Sequence, residues 1–201
     1  MTEPNQFLRK LLAAKGVHYL VRRFGSAKLR SLAFDGKYES GEWNFHGDGK
    51  GELPKVVCGY LRKGDLLVMG CGGASILDGV EPGGLNSALG VDLSPEAIRL
   101  SSRFASDRVS FAISDMETFE CPRLYDVILF SESLYYVNST RQVPLLKRLA
   151  KSLKPGGVFI VTFAEARRYR DILERIRSAF KVLDDRNLPQ SSRYLIVFNA
   201  S

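Results

Sequence analysis

No stretch of the 201 residues runs to 18 consecutive apolar side chains, so no membrane-spanning helix is expected. The start, Met1-Thr2-Glu3-Pro4-Asn5-Gln6, lacks the charged opening, apolar block and small-residue cleavage site of a secretory leader. Cysteine is scarce. Cys58, Cys71 and Cys121 have no CxxC spacing and no histidine nearby, which argues against a disulfide framework or a structural zinc site. Free thiols in a reducing cytoplasm are the simplest expectation. No ligand cluster for another metal is visible, and there is no internal repeat or low-complexity linker.

The remaining composition is that of a soluble globular protein, with 45% hydrophobic and 25% charged residues. The length suits one domain with a real core. The net charge of +7 is gathered near the start. Arg9, Lys10, Lys15, Arg22, Arg23, Lys28, Arg30 and Lys37 face only Glu3 and Asp35 in the first 37 residues. Such a segment suits an anionic membrane, a nucleic acid or an acidic substrate, and equally a solvated helix face.

Residues 5–33 read as helix, with Phe7, Leu8, Leu11 and Leu12 on one face and interruptions at Gly16 and Gly25. Residues 34–52, rich in glycine, aromatics and acids, read as a loop. From Leu53 the chain alternates strands and helices. Strands are expected at 65–69, 85–91, 109–113, 125–130 and 158–163, as apolar runs bounded by turns. The helix carrying Val143, Leu146, Leu149 and Leu153 is stopped by Lys154-Pro155-Gly156-Gly157. That order implies a parallel sheet covered on both faces. Two final strands, 180–183 and 194–198, are close enough to form a hairpin, so the last strand is expected to be antiparallel. Two parts follow: 1–52, a helical cap with an active-site loop, and 53–201, the α/β domain.

Ligands of such sheets bind at the carboxyl ends of the strands. The first strand ends in Gly70-Cys71-Gly72-Gly73-Ala74-Ser75, where glycines allow close backbone approach. Asp92 ends the second strand, 22 positions after Gly70, and can accept from both ribose hydroxyls. Ser94 with Pro95 reads as a helix start. Asp115 can accept from an exocyclic amine, with Met116 as an apolar contact. A nicotinamide dinucleotide and S-adenosylmethionine both fit this layout. The dinucleotide spacing wants a glycine where Ser75 stands.

Leu66-Leu67-Val68-Met69-Gly70-Cys71-Gly72-Gly73, Gly90-Val91-Asp92-Leu93-Ser94, Ser114-Asp115-Met116 and Leu153-Lys154-Pro155-Gly156-Gly157 resemble the ordered motifs of class I S-adenosylmethionine-dependent methyltransferases. The resemblance covers roughly residues 53–200. It implies an α/β, Rossmann-like, doubly wound, mostly parallel seven-stranded sheet with an antiparallel C-terminal strand and an N-terminal helical cap. It also implies S-adenosylmethionine as cofactor. The Gly70–Gly73 loop, with Gly70, Cys71 and Gly72 at the cofactor, would pass the methionine part, Asp92 would hold the ribose, Asp115 with Met116 would hold the adenine, and Leu93 belongs to the same cofactor-binding set. Ser131 would complete the set. Two departures stand out: Val68 replaces the family's usual acid, and Ala74 a frequent glycine.

Phe130-Ser131-Glu132-Ser133-Leu134-Tyr135-Tyr136 resembles a motif of nodulation-type methyltransferases acting on chitooligosaccharide amines. Lys37-Tyr38-Glu39-Ser40-Gly41-Glu42-Trp43 is similar to a segment of methyltransferases in bacterial surface-glycan pathways. The resemblance implies methylation of a carbohydrate or other small molecule at oxygen or nitrogen. The candidate general bases are Glu132, just past the fourth strand, and His46. His18 reads as structural. Tyr38, Trp43 and Tyr135 are candidates to contact the acceptor. There is no Asn-Pro-Pro-Tyr for base amines and no acidic trio for a catechol-type magnesium site. The acceptor is expected to be a small molecule or glycan, including an anionic or membrane-borne one, with nucleic acid less favoured. The protein is expected in the cytoplasm or peripheral to a membrane. The reading kept beside this one is an inactive protein of the same fold that binds a nucleic acid or a membrane surface.

Overall fold

The computed structural model describes residues 4–43, 49–189 and 192–199. Apolar runs too long to leave in water become its central strands. They are β1 (Gly64–Met69), β2 (Leu85–Asp92), β3 (Val109–Ile113), β4 (Tyr125–Ser131) and β5 (Leu153–Phe163), followed by β6 (Lys181–Asn187) and β7 (Tyr194–Asn199). Among the described residues they form a seven-stranded sheet in the order β3-β2-β1-β4-β5-β7-β6. The first five strands pair in parallel. β7 runs antiparallel to both β5 and β6. The expected hairpin is therefore present, with its second strand inserted beside β5.

Alternate residues of each strand feed opposite faces of the sheet. Leu67, Met69, Ile128, Phe130 and Phe159 join one apolar cluster, and Leu66, Val68, Val127, Leu129 and Ile160 the other. Burying each such side chain contributes about 1.5–3 kcal/mol. Truncating Phe159, fully buried in the first of these clusters, should cost about 3–5 kcal/mol.

The helices over the sheet are α4 (Leu53–Leu61), α5 (Pro95–Ser101), α6 (Ser139–Ala150) and α7 (Arg170–Ala179). Ser94 caps α5 by accepting from the Ala97 amide at 3.1 Å, and Pro95 opens it. At the opposite end of the sheet from the strand termini that matter for chemistry, Lys154 donates to Asp65 at 2.6 Å and Asp126 at 2.7 Å. Burial alone would raise the Asp65 carboxyl. Hydrogen bonds from Lys154, Ser87 and Asn86 outweigh it and hold the group at about 2.

Three helices precede this unit: α1 (Pro4–Ala13), α2 (Lys15–Phe24) and α3 (Ala27–Glu39). Leu12, Val21 and Ala33 give them a small apolar core. Two expectations are corrected here. Gly16 lies inside α2, and the break falls at Ala14. Residues 34–39, expected as loop, are the last turns of α3. The reason is packing. A Cβ at Gly36 would lie 2.5 Å from the Arg9 carbonyl oxygen and 2.9 Å from the Ala13 Cβ, so this glycine lets α1 and α3 touch. No helix among the described residues is long and apolar enough to cross a membrane.

Candidate active site

The chain leaves β1 for β2 and β3 on one side and returns to β4 and β5 on the other, so strand order switches between β1 and β4. Ligand crevices form at such switches. A cavity of about 360 Å³ opens at these carboxyl ends, within the range of about 300–1,000 Å³ for small-molecule sites.

Its floor is the turn after β1. Gly70 (φ +69°) and Gly72 (φ +52°) occupy the left-handed region, which glycine enters without a Cβ penalty. The Gly70 and Cys71 amides both donate to the Val91 carbonyl, at 2.7 and 3.0 Å, tying the turn to β2. The Ser133 hydroxyl donates to the Met69 carbonyl at 2.6 Å, tying it to the segment after β4. Ala74 also sits at φ +54°, which explains why the resemblance favours glycine there. Val68, where the resemblance puts an acid, is 3% exposed and packed in the apolar layer.

Asp92 ends β2 on the cavity wall. One oxygen accepts from the Gly72 amide and the other from the Ser94 amide, both at 2.9 Å. Burial pushes its carboxyl up to about 6, against the backbone donors of Ser94, Gly72 and Leu93 and with the help of nearby Asp35. An ionised carboxylate offers about four lone-pair sites, so acceptor capacity remains for two hydroxyls. Leu93 and Met116 line the same wall.

Asp115 accepts from the Glu117 amide at 3.0 Å and from Arg30 at 2.5 Å. Arg148 donates to the carbonyls of Met116, Glu117 and Phe119 and so fixes the loop that presents Asp115.

α3 forms the roof. Asp35, 2% exposed, accepts from the Ser94 hydroxyl at 2.5 Å and the Glu96 amide at 3.2 Å, docking α3 on the start of α5. Tyr38 reaches the floor, its Oη 2.9 Å from where a Cβ on Gly72 would stand. Burial raises the Tyr38 phenol well above its ordinary value, and the Asp92 carboxylate adds to this. Phe34, Trp43 and Tyr136 meet in a triangle with centroids 5.3–5.7 Å apart. His18 packs edge-on to Trp43 at 5.5 Å.

Glu132, on the opposite wall, adopts φ +54°. An L residue there is strained by about 1–2 kcal/mol. Its amide donates to the Thr162 hydroxyl at 3.2 Å, and its carboxylate accepts from the Tyr135 hydroxyl at 3.4 Å. Tyr135 in turn stacks on Tyr169 at 4.5 Å. Burial first, then neighbouring Tyr136, Glu132 and Tyr169, raise the Tyr135 phenol.

One cavity thus brings together Gly70, Cys71, Gly72, Asp92, Leu93, Asp115, Met116, Ser131, Glu132, Tyr38, Trp43 and Tyr135. His46 lies outside the described residues. Arg30, Phe34, Tyr136 and Arg193 also line the cavity and were not picked out from the sequence. The Tyr135-Tyr136 pair was the only signal for one of them. Arg30 is hidden in a basic helix and Arg193 in a polar hairpin turn.

Residues 66–157 match the family described as a methyltransferase domain. A ubiquinone biosynthesis O-methyltransferase of Rickettsia akari (strain Hartford) is 29% identical over 116 residues, covering 55% of this chain and 45% of that protein. Its counterpart in Rickettsia felis is 28% identical, covering 55% and 46%. The chain spans about half the length of the curated relatives it matches. Among solved structures, the N-methyltransferase NodS from Bradyrhizobium japonicum WM9 in complex with S-adenosyl-L-homocysteine superposes with a TM-score of 0.60 at 20% identity, over 74% of this chain and 87% of that one. The glycopeptide N-methyltransferase MtfA complexed with S-adenosylmethionine gives 0.63 at 12% identity, over 74% and 86%. At these identities the structural likeness concerns the fold.

Proposed function

We propose that this chain, whose residues 66–157 belong to the methyltransferase domain family in its class I S-adenosylmethionine-dependent form, methylates a ring-bearing small molecule, most suitably a carbohydrate. The observation that carries the reading is one cavity with two unlike walls: the Gly70–Gly72 turn with Asp92 and Asp115, and the aromatic roof with Glu132. The first fits the cofactor by its donor set and by a floor on which a Cβ would collide with Tyr38 or Ser133. Asp92 has capacity for the ribose hydroxyls, Asp115 for the adenine amine, and Leu93 and Met116 supply apolar contact. Bound S-adenosylmethionine supplies an electrophilic methyl group on a sulfonium.

The protein's own part is alignment and exclusion of water. Holding two reactants in line supplies up to about 7–11 kcal/mol. Phe34, Trp43 and Tyr136 offer flat apolar faces for a sugar ring, and Tyr38 and Tyr135 close the sides. Glu132 is the candidate base for an oxygen or nitrogen acceptor, a role worth about 10²–10⁴-fold. The tight turn at φ +54° fixes its backbone, and Tyr135 orients its carboxylate. Residues 1–52 serve as cap to the domain at 53–201. The likeness of 37–43 to surface-glycan enzymes favours a role in bacterial surface-glycan biosynthesis, and the names of the relatives span both oxygen and nitrogen acceptors. Val68 favours one second reading, an inactive protein of this fold, since an apolar side chain stands where an acid helps organise the cofactor.

Calorimetric titration with S-adenosylmethionine separates the two. Binding, followed by transfer of labelled methyl to candidate glycans read by mass spectrometry, supports the enzyme. Absence of binding to both S-adenosylmethionine and its demethylated product sinks it.

A further inference from the structure

Exposed apolar side chains are ordinary when scattered. Here they are not. Of the nine large hydrophobic side chains exposed among the described residues, six fall between positions 7 and 29: Phe7, Leu8, Leu11, Tyr19, Leu20 and Leu29. Phe7 is 77% exposed, Leu20 57% and Tyr19 56%. They are not spare core. Leu12 and Val21 already fill the interior of the three-helix unit, while Phe7 and Leu11, one helical turn apart, share the outward side of α1.

The charge of the same segment has one sign. Between Glu3 and Asp35 there are seven Lys or Arg and no acidic residue. Arg9 is drawn inward to Glu39 and Asp35, and Arg30 to Asp115 and Glu117. Lys10 and Lys28 stand exposed beside the apolar side chains. Apolar anchors interspersed with cations fit a surface that is apolar beneath and anionic above. A nucleic acid would match the charge and leave Phe7 and Leu11 in water. A second copy of this segment would match the apolar side and repel the charge.

We propose that α1, α2 and the first turn of α3, which carries Lys28 and Leu29, form a docking face for an anionic phospholipid membrane. The face lies next to the chemistry, because α1 packs against α3 through Gly36 and α3 carries Arg30, Phe34 and Tyr38 in the cavity wall. An acceptor held at a membrane would then reach the enzyme where the enzyme itself sits. The docking face is independent of the methyl-transfer reading, which cofactor titration tests separately.

The test is co-sedimentation with phosphatidylcholine vesicles, with and without phosphatidylglycerol, over a salt series. The full chain should bind the anionic vesicles, leave the neutral ones, and be released as salt screens the charges. Neutralising Lys10 and Lys28 to Gln should weaken binding by roughly fivefold per residue. The double variant Phe7→Ser, Leu11→Ser should weaken it by about tenfold or more at every salt concentration. None of these side chains lines the cavity, so cofactor affinity should not move. Equal binding to both vesicle types would overturn the proposal. So would anionic binding unaffected by the Phe7, Leu11 variant. A dimer in sedimentation without lipid, dissociated by that variant, would also overturn it by assigning the face to a second copy.

Discussion

Arg30 and Asp115 are 85 positions apart in the chain, yet the guanidinium of one lies 2.5 Å from the carboxylate of the other. The second arm of Arg30 holds Glu117 at 3.0 Å, and Glu117 also takes Arg141 at 2.9 Å. The roof helix is thus tied to the loop proposed to receive the adenine. Arg30→Gln should release that tie. The pair is mostly buried, with 16% and 12% of the side chains exposed, so unmatched carboxylates should cost about 1–3 kcal/mol in chemical denaturation. Cofactor affinity should weaken in the same variant. A stability equal to the parent's would remove the clamp.

Asp92→Ala should weaken S-adenosylmethionine binding by about 1–3 kcal/mol, because the ribose loses a charged acceptor. The parent should also show a pH dependence. Burial holds the Asp92 carboxyl near 6, and the ionised form is the better acceptor. Affinity should therefore fall as pH drops through about 6. The stability of the protein alone should move the other way. A carboxyl raised on folding contributes stability below its unfolded value of about 3.9 and loses it as pH rises through about 6, an effect on the order of 3 kcal/mol. Calorimetry and melting curves from pH 4 to 8 read both trends. Affinity independent of pH would detach Asp92 from the ribose.

At Glu132 two substitutions should diverge. Glu132→Gln keeps the shape and removes the base, so turnover should fall by about 10²-fold or more with cofactor affinity unchanged. Glu132→Gly removes the carboxylate and the positive-φ strain together. That variant should be more stable by about 1 kcal/mol while turning over no faster than the Gln variant. Near-parental rates in Glu132→Gln at every pH would leave the residue with a structural role alone.

Lys154 should matter for stability and not for catalysis. The Asp65 carboxyl is held at about 2, below its unfolded value of about 3.9, so its contribution is present above about pH 4 and fades as pH falls through about 2. Lys154→Met should cost about 1 kcal/mol at neutral pH and leave the rate constant for methyl transfer unchanged. Unaltered unfolding in that variant would show the network to be neutral.

The strands were legible because a buried parallel strand needs an unbroken apolar run, and Leu66 to Met69 and Val127 to Phe130 are such runs. The α5 cap was legible because Ser94 and Pro95 act through local bonds. β5 proved longer than expected: Leu153 already pairs with Tyr125 before the register shifts and Val158 takes up pairing with Val127. The second half of α3 misled because Gly36, Tyr38 and Phe34 have loop-like composition. The helix persists there through contact with α1, which local propensity does not report. Cavity residues fared similarly. Those placed by the ends of β1, β2 and β4 could be found from the strands, whereas Arg30 and Arg193 reach the site only through tertiary folding.

The cavity's 360 Å³ lies near the lower bound of about 300 Å³ for sites that enclose a whole small ligand. A nucleoside-sized cofactor would take most of that space, so little of the proposed acceptor would be enclosed with it, and the length of the molecule left outside would go unmeasured.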